Sequence, residues 1–569
     1  MEQLAGAPGA IPIDQALERA LEHHRAGRLA DAEAIYRQVL AAHPDHPGAL
    51  NLLGALAYQA GRCDVARVLV GRALTLQPDF AEAHNNLAAA LQADGELAQA
   101  EAHFRRALAL APGYHGARLN LGILLWQTGR PAEAAEHHRE ILRHLPDHAE
   151  AHNNLGNALY CLGAVDDAGA SFRRALTLKP DYVAARSNLA NVLCDLGAPG
   201  EALGHYEHAV AVEPGFADYH MNLANALRDL GRLPEAIARY DRALALRPTL
   251  EDARWNQALA LLLAGDYARG WDAYQARWQT RALAGQRRDF DRPAWDGSDP
   301  AGRTVLVHAE QGMGDVIQFC RYLPLLKARG ARTVLLIDRE WRQLAPLLRG
   351  LGGVDQLALD VTEVAAFDVH ASLLELPRLF GTRLDSVPAS VPYLAVDPAR
   401  LARWRRRFAE AYPRDGALRV GLVWAGNPNF ARDRLRSPGL AALRPLLGLP
   451  GLRWFGLQVG PGRDALAHGA PDGLIDLGRE LEDFADTAAV MTELDLVIGS
   501  CTAATHLAGA LARPTWVMLP AAADWRWLRA RDDSPWYPTA LLFRQTTAGD
   551  WQGLVARLAD ALAALPRGA

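Results

Sequence analysis

NNLGNALYCLGAVDDAGASFRRALTLKPDY, residues 153–182, carries two helical apolar stripes broken at Gly163 and stopped at Pro180. Proline cannot continue an i to i−4 ladder and glycine supplies the turn, so the stretch reads as helix, turn, helix, stop. Working outward, the same punctuation returns every 34 residues: Pro44, Pro78, Pro112, Pro146, Pro180, Pro214 and Pro248. Glycines recur at Gly27, Gly61, Gly95, Gly129, Gly163, Gly197, Gly231 and Gly265, and alanines at Ala32, Ala66, Ala100, Ala134, Ala168, Ala202 and Ala236. Three registers on one period define a repeat array over residues 13–284, about eight units with the first and last degenerate. The small alanine lets the paired helices approach closely.

This pattern resembles the tetratricopeptide repeat. A unit that cannot bury its own apolar face must stack, so the resemblance implies a right-handed α solenoid with an extended concave face suited to polypeptide. Asn86, Asn120, Asn154, Asn188, Asn222 and Asn256 occupy one position of the first helix in six successive repeats. An amide offers a donor and an acceptor that match an extended backbone, so these six are candidate peptide-binding residues. The alternative is that they hydrogen-bond between repeats and serve only the solenoid. In the protein O-linked N-acetylglucosamine transferases, whose repeats these resemble, such a ladder binds acceptor polypeptide. His23, His24, His137 and His138 read as solvated helix faces rather than metal ligands.

The whole chain has 569 residues, enough for three or four packed units, with 50% apolar and 22% charged residues. Lys+Arg 60 against Asp+Glu 65 leaves a net charge of −5, which disfavours nucleic acid as a partner. Cys63, Cys161, Cys194, Cys320 and Cys501 form no CxxC pair, so neither a disulfide scaffold nor a zinc ribbon is expected. With no apolar run of membrane length and no leader-like start, the expectation is a soluble, cytoplasmic protein.

From Thr304 the helical period gives way to short apolar runs: TVLVHAE, RTVLLID, RVGLVWAG, RWFGLQVG, DLVIGS and PTWVMLP, separated mostly by helical stretches. That alternation predicts parallel sheets in two Rossmann-like domains facing a cleft. The expected division is a tail at 1–12, the solenoid at 13–284, a linker at 285–301, one α/β domain with its connector at 302–415, and a second with a closing helix at 416–569. The basic run in the connector, RLARWRRRFAEAY, reads as a solvated face.

Ligands of such sheets bind beyond the carboxyl ends of strands, and three segments lie there. HAEQGMGDVIQF places Gly312 and Gly314, which allow close backbone approach, beside Asp315 at a helix start, where a carboxylate can accept a proton or simply cap the helix. WAGNPNFARDRLRS offers Asn427 and the arginines Arg432, Arg434 and Arg436, which suit a diphosphate without a metal. IGSCTAATHLAGAL delivers Ser500, Cys501 and Thr502 onto a helix, with Ala503, Ala504 and His506 in its first turns; free N–H groups there favour phosphate, and capping is the alternative. Asp289-Phe290-Asp291 has the spacing of a metal-binding motif but falls in the linker, and Gly460–Ala465 lacks the context of a dinucleotide fingerprint.

EQGMGDVIQF, FDVHASLLELP, VPYL, GLVWAGNP, Arg436-Ser437, FADTAAVMTELDLVI, THLAGAL, SPWYP and LFRQ together resemble the bacterial heptosyltransferase-like glycosyltransferases of GT-B fold, and specifically the sugar transferase module fused to tetratricopeptide repeats. The resemblance implies that Asp315 is the general base, that Thr502, Ala503 and Ala504 contact the donor diphosphate with His506 beside them, and that Arg436 neutralises the leaving group. Cys501 departs from the family, which has aspartate there, so the donor is expected to differ from a nucleotide heptose. A catalytic thiol is the less favoured alternative, because direct displacement needs a base. Trp424, Trp525 and Trp527 are candidates for stacking on the nucleotide base, with packing as their other reading.

The sequence therefore predicts a metal-independent, cofactor-free inverting transferase acting on a Ser or Thr hydroxyl of a polypeptide held by the repeats; related flagellin-modifying enzymes imply flagellin as one acceptor. The alternative is a repeat scaffold carrying a degenerate, non-catalytic transferase domain.

Overall fold

A computed structural model describes residues 12–280, 283–364, 366–428 and 433–566. The chain packs as two units, one ending at Leu193 and one starting at Cys194.

Eight helix pairs run from Ile13–Arg25 with Leu29–Ala42 to Glu251–Leu263 with Tyr267–Ala273. The first pair has full-length helices, whereas the last second helix is cut to 7 residues. Each turn glycine from Gly27 to Gly265 has φ between +73° and +84°, a region that any Cβ would strain. The seven register alanines are fully buried where the paired helices touch.

One further register forms the core of the repeats. Tyr36, Val70, Phe104, His138, Phe172, Tyr206 and Tyr240 recur on the second helices, all 2% exposed or less. A small residue faces them: a Cβ added at Gly156 would sit 2.5 Å from Phe172, and one at Gly122 would sit 2.5 Å from His138. His138 is therefore core, not the solvated face that the sequence implied. Both of its ring nitrogens are buried without a hydrogen-bond partner.

In the second unit every strand pairing is parallel. The strands are β1 (Thr304–His308), β2 (Arg332–Leu336), β3 (Gln356–Ala358), β4 (Val369–Ser372), β5 (Leu418–Val423), β6 (Leu452–Gly456), β7 (Leu474–Asp476), β8 (Leu496–Ser500), β9 (Thr515–Leu519) and β10 (Ala540–Arg544). They form a four-stranded sheet in the order β3-β2-β1-β4 and a six-stranded sheet in the order β10-β9-β8-β5-β6-β7. In each sheet the order reverses once, between β1 and β4 and between β5 and β8. Crevices open at such reversals.

Two departures from the sequence reading concern what holds this unit together. The last repeats belong to it: Tyr267, Trp271 and Tyr274 pack on Phe319, Trp525 and Trp536, and the Tyr267 hydroxyl accepts from Trp536 Nε1 at 3.1 Å. The boundary expected at 285–301 thus separates two segments of one core. The basic helix, Pro398–Ala411, is not simply a solvated face either. Its Arg400 and Arg403 pair with the fully buried Asp486 at 2.9 and 2.5 Å, and Trp404 donates to the same carboxylate at 3.0 Å.

Burial pushes the His138 imidazole down to about 4. A base harder to protonate folded than unfolded leaves stability intact above its unfolded value near 6.5 and removes it as pH falls toward 4. We expect His138→Phe to raise stability by about 1 kcal/mol at neutral pH, since it removes two unpaired buried nitrogens. It should also abolish one pH-dependent component of unfolding between pH 6.5 and 4, which denaturant titrations across that range would read.

Candidate functional site

The three segments singled out in the sequence follow β1, β5 and β8, each at a reversal of strand order. Two of them touch. Gly312 precedes the helix Met313–Phe319, and Thr502 precedes the helix Ala503–Ala510. A Cβ on Gly314 would lie 3.2 Å from His506 Cδ2 and 3.6 Å from Ala503 Cα, so the missing side chain sets how closely the two helix starts approach. The Thr502 N–H donates to Thr505 Oγ1 at 3.1 Å, while the hydroxyls of Thr502 and Ser500 are buried without partners.

Asp315, in the first turn of its helix, forms a close ion pair with Arg526, a residue the sequence reading passed over. The two side chains are 19% and 10% exposed. Arg526 also donates to Gln318 Oε1 and to Asp524 Oδ1, both at 2.9 Å. Burial raises the Asp315 carboxyl above its ordinary value; Arg526 pulls it back, and the charges of Asp524 and Glu310 push it further up. The outcome is a carboxylate that is oriented, shielded from solvent and more basic than a free aspartate.

The loop between β1 and that helix is held from behind. Glu310, 4% exposed, takes a bidentate pair of hydrogen bonds from Arg277, Nε at 3.0 Å and Nη2 at 2.9 Å, and a third from Ser372 at the end of β4. Gln311 follows with φ +66°, a conformation that a non-glycine residue adopts only when its surroundings impose it. Glu310 lies inside a segment already marked as functional, but its partners come from the last repeat and from a different strand, and no local pattern announces them.

His506 is 5% exposed, accepts from or donates to the Tyr537 hydroxyl at 2.9 Å through Nδ1, and stacks on Trp527. Burial and the charges of Arg526, Arg321 and Arg436 push its pKa down to about 3, so the ring is neutral. Cys501 accepts from Trp527 Nε1 at 2.9 Å, and burial pushes its thiol up to about 11. That is the reverse of what a nucleophilic thiol requires. Among the stacking candidates, Trp424, Trp525 and Trp527 are 1%, 4% and 1% exposed. They are packing residues with no open face, which corrects the base-stacking role considered for them.

Arg436 ends the short helix Asp433–Arg436, pairs with Asp433 at 2.9 Å and lies against the backbone of Gly426. Its charge reaches His506 and Cys501. Asn427 is exposed on the loop after β5. Arg432 and the side chain of Arg434 fall outside the described residues.

In the repeats, Asn86 donates to Asn51 at 2.9 Å, Asn120 to Asn85 at 3.0 Å, and Asn188 to Asn153 and Asn157 at 3.1 and 2.9 Å. Asn154 accepts from Asn153, and Asn256 from Arg228. Asn86, Asn120, Asn188 and Asn256 therefore do make the inter-repeat bonds posed as the alternative to peptide binding. All six register positions remain half-buried rather than sealed.

No group of three or more His, Cys, Asp or Glu side chains with the geometry to hold a metal occurs among the described residues, and none of their helices is long and apolar enough to cross a membrane.

Profiles of the tetratricopeptide repeat match residues 23–91, 79–147, 119–183, 183–212 and 224–265. The N-terminal half is a tetratricopeptide repeat array, of a kind that binds protein partners. Protein FlbA of Caulobacter vibrioides is 31% identical over 329 residues, 53% of each chain, so the match spans about half the length of that relative. Among solved structures, the Cut9-Hcn1 hetero-tetramer of the APC/C aligns at 20% identity over 42% of this chain and 48% of that one, TM-score 0.40. A tetratricopeptide repeat protein from Parabacteroides merdae aligns at 16% identity over 44% and 98%, TM-score 0.36. PilF of Pseudomonas aeruginosa aligns at 18% over 36% and 94%, TM-score 0.33. With these scores below 0.5, the repeat assignment rests on the profiles and the 34-residue register.

The thiol geometry is directly testable. Cys161 is exposed, whereas Cys320 and Cys501 are buried with pKa values raised to about 12 and about 11. With a disulfide reagent at pH 8, Cys161 should react within minutes while Cys320 and Cys501 stay silent until denaturant is added; mass mapping of the labelled peptides would check it.

Proposed function

We propose that this protein is a metal-independent, inverting glycosyltransferase of GT-B architecture. It transfers a sugar from a nucleotide sugar to a Ser or Thr hydroxyl of a polypeptide held by the repeats. The observation that carries the reading is the junction at the strand reversals, where Asp315 lies shielded beside Arg526 and the start of one helix abuts the start of another. The family resemblance of these loops supplies the reaction class.

In this reading the acceptor hydroxyl attacks the anomeric carbon while Asp315 takes its proton. The new carbon–oxygen bond forms as the bond to the diphosphate breaks on the opposite face, which inverts configuration. The nucleoside diphosphate leaves with its charge met by Arg436, the Thr502 hydroxyl and the N–H groups of Ala503 and Ala504, a role cations and helix starts perform without a metal. Gly312 and Gly314 keep the wall of the site free of side chains, and neutral His506 fixes Tyr537 and Trp527 behind it. The half-buried asparagines use spare amide groups on acceptor backbone. Five scattered cysteines with no CxxC spacing fit a reducing, cytoplasmic setting.

A second reading, a protein-binding scaffold with a silent α/β half, is favoured by one feature: Arg526 already neutralises Asp315. Nucleoside diphosphates and nucleotide sugars separate the two in a thermal-shift screen. A ligand at about 100 times its dissociation constant adds about 2.7 kcal/mol; no shift with uridine, guanosine, adenosine or cytidine donors would favour the scaffold.

Given a donor, Asp315→Asn should lower transfer by about 10²–10⁴-fold, the range for losing a general base, with donor binding kept. Asp524→Asn removes a charge that raises Asp315 and releases Arg526 toward it. Both changes make Asp315 less basic, so the acid limb of the pH–rate profile should move to lower pH; an unchanged limb would mean that another group is the base.

A further inference from the structure

A cavity of about 410 Å³ opens in the second unit, away from Asp315, between the turns of the last repeats and the segment that follows Trp527. Its apolar wall is Leu233, Leu263, Leu384 and Leu528, and its polar wall is Arg529, Arg531 and Asp533. The segment is held in an uncommon backbone: Leu528 has φ +53° and Ala530 φ +55°. Arg531 is neutralised by Asp533 through two hydrogen bonds of 2.7 and 2.6 Å. Arg529 is not. Its hydrogen bond goes to the carbonyl oxygen of Asp229 at 3.2 Å, and the Asp229 carboxylate is already paired with Arg228 at 3.1 Å. Arg544, behind the same segment, donates to the carbonyl oxygens of Trp527 and Arg531 at 2.6 and 3.3 Å. Among the described residues, neither Arg529 nor Arg544 has a carboxylate in ion-pair contact.

We infer that this cavity binds a small organic phosphate, its phosphate on Arg529 and its apolar body against the leucines. Arg529, its guanidinium bonded only to a carbonyl oxygen, lines the cavity while Arg544 adds positive charge behind the same segment, and a guanidinium fork matches phosphate geometry. The volume lies in the range of ordinary small-molecule sites. Burial lowers the pKa of Arg529 against the opposing charge of Asp229, and burial together with the charges of Arg529 and Arg531 lowers that of Arg544 to about 10, which an anion would relieve. The segment Trp525–Asp533 also carries Arg526, so occupancy is in covalent series with the Asp315 ion pair. The inference does not depend on the transferase reading, because the cavity and its charges are separate from that site.

The full-length protein is titrated calorimetrically with inorganic phosphate, uridine monophosphate and adenosine monophosphate. A nucleoside monophosphate should bind at least 10-fold more tightly than phosphate, weaken as salt rises, and lose at least 10-fold in affinity in both Arg529→Gln and Leu384→Trp. Leu384 is 36% exposed, so tryptophan there fills the cavity while leaving the charges and the core in place, and it decides the question alone if Arg529→Gln does not fold. Absence of binding by the unsubstituted protein overturns the inference, as does binding retained in Leu384→Trp. Binding lost in Arg436→Gln but kept in both cavity variants overturns it too, because the phosphate would then lie beside β8.

Discussion

The packing of Trp536 and Trp525 against Tyr267, Trp271 and Phe319 is the constraint from which the second unit follows. Those rings come from the last repeat, from the helix after β1 and from the segment after β9, so one apolar cluster closes three parts of the chain at once. Large rings bury more area per side chain than any aliphatic residue and prefer edge-on contacts, which fixes angles as well as distances. Because Phe319 ends the helix that begins at Met313, and Trp525 adjoins Arg526, the cluster also sets the separation of Asp315 from Arg526. A hydrophobic arrangement thereby determines an electrostatic one.

That electrostatic arrangement balances opposing terms. Desolvation makes an isolated Asp315 costly to ionise, Arg526 makes ionisation favourable, and Asp524 draws part of the guanidinium away. A carboxylate paired this closely is well placed but partly neutralised. Its proton-accepting strength is set by how Arg526 divides its donors among Asp315, Asp524 and Gln318, and any group that competes for Arg526 changes it. The second pair, Arg277 with Glu310, has no such freedom: both members are buried, the contact is bidentate, and Ser372 completes it. It serves as a fixed anchor for the strained Gln311 and leaves variation to the other side.

How legible this was in the sequence depends on the distance over which each constraint acts. Turns and helix ends of the repeats were fully legible, since glycine at positive φ and proline after a helix are local requirements. So were the loops after β1, β5 and β8, which a strand followed by small residues announces. The strands β3, β4, β7 and β10, the edges of the two sheets, were missed, and three of them have only three or four residues, which give no period to read. Arg526 was missed because its meaning comes from Asp315, 211 positions earlier. His138 was legible and misread: the 34-residue register already placed it between Phe104 and Phe172, and position in a repeat outweighs the polarity of one residue.

The asparagine register shows why a correct local reading still leaves function open. An amide has two donor hydrogens and an acceptor oxygen with two lone pairs. In Asn86 the bond to Asn51 uses one donor and the bond from Asn85 one lone pair, so half of its capacity is committed to neighbouring side chains. Those bonds lock the rotamer and aim what remains. A freely rotating amide would lose more entropy on meeting a polypeptide backbone than one already held. The inter-repeat bonds are thus compatible with the peptide capture proposed for the same side chain.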